Sequence, residues 1–176
     1  MKRNIIVGLI LMAAGCIANA ADTNVVKQTP NLLPPVSEYS KVEVQTYATA
    51  SWNKLGGSSR GGVGLGLSYF VNNTFGFRVS AEADSWKPKD YVIDRAFFDT
   101  IIQADIGHGL RPYGFGGFGY SLTTDSVAAH AGVGTKLDIV RFADNLAVGL
   151  FTEGGMEADT SGKTGFRLSG GLNLRF

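Results

Sequence analysis

From Lys41 to Phe176 the chain repeats one pattern. Segments of about 11 to 16 residues alternate apolar with small or polar side chains, and short turn signals separate them. Eight such segments are read, at 41–53, 61–71, 74–86, 92–107, 111–123, 127–139, 146–158 and 164–176. A period of two is the signature of a strand whose faces meet different surroundings. No stretch shows a 3.6-residue period, so the chain is read as an all-β meander of antiparallel hairpins.

The third and eighth segments show the alternation most plainly. Phe75, Phe77, Val79, Ala81 and Ala83 oppose Arg78, Ser80, Glu82 and Asp84. Phe166, Leu168, Leu172, Leu174 and Phe176 oppose Arg167, Ser169, Asn173 and Arg175. The sixth sets Ala131, Val133 and Leu137 against Lys136 and Asp138, and the seventh sets Val148, Leu150 and Met156 against Glu153 and Glu157. The fifth changes step, with Tyr113 and Phe115 on one parity and Phe118, Tyr120 and Leu122 on the other. A β-bulge at Gly116-Gly117 is the expected device for restoring a single apolar face.

Polarity decides what surrounds such a sheet. The charged parity is also rich in small residues, such as Gly62, Gly64, Gly66 and Ser68, and 24 glycines fall mostly inside apolar segments. Small residues beside long charged ones suit a crowded interior, whereas the apolar and aromatic parity suits lipid. The fold class read from this is an eight-stranded antiparallel up-and-down transmembrane β-barrel over 41–176, inside-out relative to a soluble barrel. Strand lengths match the roughly 9–11 tilted residues that cross a hydrocarbon layer. Aromatics gather near segment ends, with Trp52, Trp86 and Tyr91 toward one rim and Tyr69, Phe75, Tyr113 and Phe176 toward the other, as interfacial girdles do. An even strand number puts both barrel termini on one side, read as periplasmic. The net charge of +1 gives no bulk electrostatic reason to expect a nucleic-acid partner.

Residues 1–20 read as a signal peptide: Lys2 and Arg3, an apolar stretch from Ile5 to Ala14, and a cleavage site at Ala18-Asn19-Ala20. The alternative is a lipoprotein box ending at Cys16, with Ala13 where a leucine is usual. Cleavage after Ala20 leaves a mature chain without cysteine. Residues 21–40, with Pro30, Pro34 and Pro35, read as an extended periplasmic N-terminal tail.

Together, the signal peptide, the eight segments, the glycine-rich run Arg111-Pro112-Tyr113-Gly114-Phe115-Gly116-Gly117-Phe118-Gly119-Tyr120 and the ending Asn173-Leu174-Arg175-Phe176 resemble the small OmpA/OmpX-type outer-membrane barrels. The resemblance implies localisation in the outer membrane of a Gram-negative cell, and contact with outer-membrane lipid and lipopolysaccharide. It also implies recognition of the last strand by the barrel-assembly machinery, a role that would fall to Leu172, Leu174 and Phe176.

The inward face is expected to hold Arg78, Glu82, Asp84, Asp99, Gln103, Asp105, His130, Lys136, Asp138, Glu153, Glu157, Arg167 and Arg175. Unpaired burial of such groups costs several kcal/mol, so they should form an ion-pair network that plugs the lumen. Eight strands enclose just enough room for their own side chains, which favours a plug over a conducting bore. His130 is read as a member of this network and not as a catalyst. Ser126 lies four strand residues away, about 13 Å, and no His-x-Ser-Asn arrangement of a lipid A-modifying barrel occurs. No cofactor or metal site is expected. Glu153 and Glu157 are read as partners of Arg167 and Lys136. The Gly-x-Gly spacings at 62–66 and 114–119 open no helix and so cannot cradle phosphate. The predicted outer loops, near 53–60, 86–91, 123–127 and 158–163, carry Lys54, Arg60, Lys87, Lys89 and Lys163 against Asp90, Asp125 and Asp159, a rim that could meet lipopolysaccharide phosphates.

Overall fold

A computed structural model describes residues 41–53, 59–84, 93–143, 146–160, 162 and 164–176, with the side chains of Asn53, Ser59 and Asp84 excepted. The signal-peptide and tail readings, including Ala18, Ala20 and Cys16, lie outside the described residues. So do Lys54, Trp86, Lys87, Lys89, Asp90, Tyr91 and Lys163.

The strands are β1 Val42–Asn53, β2 Ser59–Phe70, β3 Phe75–Asp84, β4 Arg95–Gln103, β5 Leu110–Ser121, β6 Ser126–Ala143, β7 Leu146–Asp159 and β8 Thr164–Arg175. Each pairs antiparallel with its sequence neighbours, and β8 pairs with β1 to close the barrel. The fold is therefore a closed eight-stranded antiparallel β-barrel. Following the register once round from Glu43 through Ser68, Arg78, Asp99, Gly117, His130, Glu157 and Gly165 returns to β1 at Asn53, ten residues further on. That stagger tilts the strands strongly against the axis, and with eight strands it leaves a lumen about as wide as the side chains that fill it.

The polarity is inverted as the alternation predicts. Val63, Leu65, Leu67, Val79, Phe98, Ile102, Phe118, Val133, Leu137, Leu150, Leu168 and Leu172 all point outward and are exposed. The buried set is mostly charged or polar. Trp52 stacks on Phe166 at the outer surface of the end remote from the termini, and Tyr69 is exposed toward the other end.

Three expectations are corrected here. The register of β5 runs unbroken through Gly116 and Gly117 against both neighbours, so no bulge restores a single apolar face. The strand instead keeps its alternation and turns Arg111, Tyr113 and Phe115 into the lumen, with Phe118 and Tyr120 outward. Tyr113 is consequently no girdle residue; it is 4% exposed and lies inside. Asp105 leaves the lumen as well. β4 ends at Gln103, and Asp105 is exposed in the following turn, where it accepts a hydrogen bond from the Gly107 amide at 2.8 Å. Residues 107–109 all have positive φ, which turns the chain sharply there.

Candidate functional site in the barrel lumen

The lumen has aromatic as well as charged contents, and glycine makes the space. Tyr47 faces Gly64 across β1–β2, Phe97 faces Gly119 across β4–β5, and Tyr113 and Phe115 face Gly134 and Gly132 across β5–β6. In each pair the ring occupies the volume that a side chain at the glycine would need. A methyl group on Gly134 would meet the Tyr113 ring at 2.5 Å, and one on Gly132 would meet Phe115 at 2.6 Å.

Upon these rings rests a continuous ionic network. Arg78 donates through Nε to Asp99 at 2.8 Å and pairs through Nη1 with Glu153 at 2.7 Å. Arg167 joins Glu153 at 3.5 Å to Glu82 at 2.5 Å. Arg95 then bridges Glu82 and Glu157, each at 3.2 Å. The hydroxyls of Tyr47 and Tyr113 donate to Glu82 at 3.1 Å and to Glu153 at 2.8 Å. His130 Nε2 bonds Asp99, with its ring edge-on to Phe97.

A second group occupies the end nearer the termini. Arg111 bridges Glu43 at 2.5 Å and Asp138 at 2.9 Å, and Arg175 adds a bond to Asp138 at 2.7 Å. Lys136, fully buried, holds Glu43 and donates to Gln103 at 3.2 Å. Its ammonium lies 4.7 Å from the Phe70 ring centre and 4.9 Å from that of Tyr113, so Tyr113 links the two groups. Such desolvated cation–ring contacts add about 2 kcal/mol where water is excluded.

The structure thus brings Arg78, Glu82, Asp99, His130, Lys136, Asp138, Glu153, Glu157, Arg167 and Arg175 into the lumen, with Gln103. Asp105 stays outside, and the Asp84 side chain lies outside the described residues. Glu153 does serve Arg167, but Lys136 turns to Glu43, and Glu157 to Arg95. Sequence reasoning missed Glu43, Arg95 and Arg111. Each stands on the inward parity at or near a strand end, and continuing the alternation to those ends would have found them. Ser126, at the far mouth, shares a 2.7 Å hydrogen bond with Thr124, while His130 is committed to Asp99.

All the charged side chains named in the two groups have ionic partners, but some neutral ones do not. Among the described residues, Gln45 Nε2, Ser68 Oγ and both polar atoms of the Asn173 side chain are buried without a hydrogen-bond partner. They adjoin along the seam of β2, β1 and β8, where Gln45 pairs with Asn173 and Glu43 with Ser68. At the mouth remote from the termini, Ser51, Arg60, Arg95, Ser121, Ser126 and Glu157 help line a polar cavity of about 50 Å³. That is room for a few waters, far below a drug-sized ligand site.

This architecture was compared with known proteins. No protein-family model matches the chain, and no curated protein matches it. Among solved structures, a de novo designed transmembrane β-barrel superposes with a TM-score of 0.53 at 20% identity, covering 80% of this chain and 98% of that one. A second designed barrel, solved by solution NMR, gives 0.51 at 18% identity over 78% of this chain and 94% of its own. The fold is that of transmembrane β-barrels. Ail, the attachment invasion locus protein of Yersinia pestis, aligns over 78% of this chain and 97% of its own at 16% identity, with a TM-score of 0.43.

Proposed function

We propose that this protein is a non-enzymatic outer-membrane barrel of the OmpA/OmpX type, serving membrane integrity or surface interaction rather than transport. The observation that carries the reading is the filled lumen. Arg78, Arg95 and Arg167 each contact two or more carboxylates from other strands, which ties the interior across the bore. A lumen packed this way stiffens the wall and leaves function to the outer surface and rim. The outward apolar band matches a bilayer, because charge is enclosed and hydrocarbon-like side chains are exposed. In this reading Leu172, Leu174 and Phe176 present the last strand to the barrel-assembly machinery, and the rim charges Arg60, Asp125 and Asp159 face lipopolysaccharide.

Planar-bilayer recording of the refolded protein is the test. A quiet membrane, or only brief small events, is expected; a steady, large conductance defeats the plug. Lipid A mass spectra unchanged by deletion or overexpression are expected as well, and a new acylation or deacylation state would make the protein an enzyme.

A narrow path for ions or small solutes is the second reading. The unpartnered polar groups of Gln45, Ser68 and Asn173 favour it, since they give water somewhere to bond beside the ion group nearer the termini. Small, long-lived, ion-selective openings in the same recordings would select it.

A further inference from the structure

The two ionic groups of the lumen carry opposite imbalances. In the group remote from the termini, the carboxylates of Glu82, Asp99, Glu153 and Glu157 meet the guanidiniums of Arg78, Arg95 and Arg167, with His130 beside them. In the group nearer the termini, Arg111, Lys136 and Arg175 share two carboxylates among the described residues, Glu43 and Asp138. Arg141 also approaches Asp138, at 3.5 Å, which adds to the cationic excess. Every oxygen of this pair is engaged. Arg111 and Lys136 take those of Glu43, while Arg111, Arg175 and Arg141 take those of Asp138.

In the same place, buried donors find no acceptor. Arg111 spends both Nη atoms on its carboxylates and leaves Nε unmet, and Arg175 Nε is unmet as well. Gln45 Oε1 accepts from Arg78 Nη1 at 3.3 Å, which fixes the amide and leaves Nε2 as the free donor. Asn173 Nδ2 and Ser68 Oγ complete the set, on side chains that are 1% and 0% exposed. The register gathers these groups. Asn173 stands opposite Gln45, Arg175 and Ser68 flank Glu43 from its two sides, and Asp138 draws the Arg111 and Arg175 guanidiniums together. Asn173 Oδ1 is a buried acceptor left over beside them, but it is uncharged and belongs to an amide that is itself a donor.

A buried donor without an acceptor is costly, and an uncompensated buried charge more so. We infer that this end of the lumen seats a small monovalent anion, chloride in ordinary saline, bonded by Asn173 Nδ2, Gln45 Nε2 and the Nε atoms of Arg111 and Arg175. A single negative charge answers the excess of Arg111, Lys136 and Arg175 over Glu43 and Asp138. A small ion also suits a lumen about as wide as its own side chains. Neutral water would meet the donors and leave the charge unbalanced. Such an ion is a fixed part of the interior whether or not the bore conducts.

Urea unfolding and refolding in detergent micelles tests this, with chloride or bromide exchanged for gluconate at constant ionic strength. The parent's midpoint should rise saturably with either halide, by about 0.5 M urea at roughly ten times the half-saturating concentration. Asn173→Asp puts a fixed carboxylate where the ion sits, so its midpoint should not respond to halide. A parent midpoint that halide leaves unmoved overturns the proposal and gives the donors to water. Equal halide response in parent and variant also overturns it, by placing the ion elsewhere. Should the variant fail to refold, crystals of the parent grown in bromide decide. An anomalous peak within hydrogen-bond reach of Asn173 and Arg175 supports the site, and its absence overturns it.

Discussion

The Tyr47 ring fills the space where a side chain at Gly64 would stand, and its hydroxyl, donating to Glu82, would lie 2.6 Å from a methyl group added to that glycine. Gly64→Ala should therefore push the ring off Glu82 and lower stability by about 1–3 kcal/mol, the usual scale of overpacking. Urea unfolding in detergent micelles measures it. A companion Tyr47→Ala substitution should make the alanine at 64 nearly harmless, so the double-mutant cycle should show strong coupling.

Arg78 ties Asp99 of β4 to Glu153 of β7 in the middle of the lumen. Replacing it with methionine keeps much of the volume but leaves Asp99 without a guanidinium partner and Glu153 with only the 3.5 Å contact to Arg167. The expected loss is about 3–5 kcal/mol, as for breaking a buried pair from one side. The unfolding midpoint, read by the shift in gel migration of unheated sample, should fall accordingly. An unchanged midpoint would mean that water already reaches the site.

Val133, 70% exposed at mid-strand, tests what surrounds the barrel. Val133→Arg should cost about 2–4 kcal/mol when the protein is folded in a bilayer, because arginine then sits near the lipid midplane. On a water-facing surface the same change would be close to neutral.

Trp52 and Trp86 are the two tryptophans of the chain. In a Trp86→Phe protein, emission should come from Trp52, whose ring stacks on Phe166 at the rim. Lipids brominated near the headgroup should quench it more than lipids brominated near the chain terminus.

The alternation of β3 and β8 was enough to place Arg78, Glu82, Arg167 and Arg175 indoors, because each side chain there follows the strict period of two. The reading lost its footing in β5. It took aromatics to belong on the lipid face, so Tyr113 and Phe115 demanded a bulge; the cross-strand glycines at 132 and 134 instead make room for them inside. That clue lay in the neighbouring segment, and using it requires knowing the register. Asp105 went astray differently. Parity was counted past Gln103, where β4 already ends on the approach to the Gly107-His108-Gly109 bend. Glu43, Arg95 and Arg111 lie within the segments read at 41–53, 92–107 and 111–123, and were overlooked because the inward parity was not followed to the first residues of those segments.

The ionic interior also dictates how the molecule must be built. Lys136 and Glu43 are separated by 93 positions, Arg78 and Glu153 by 75, and the Thr49–Arg167 contact beside the seam by 118. None of these bonds exists in a hairpin, or in an open sheet before its first and last strands meet. Such remote partners make folding slow and late-committing, and until the circle shuts, a row of arginines and carboxylates is left facing nothing.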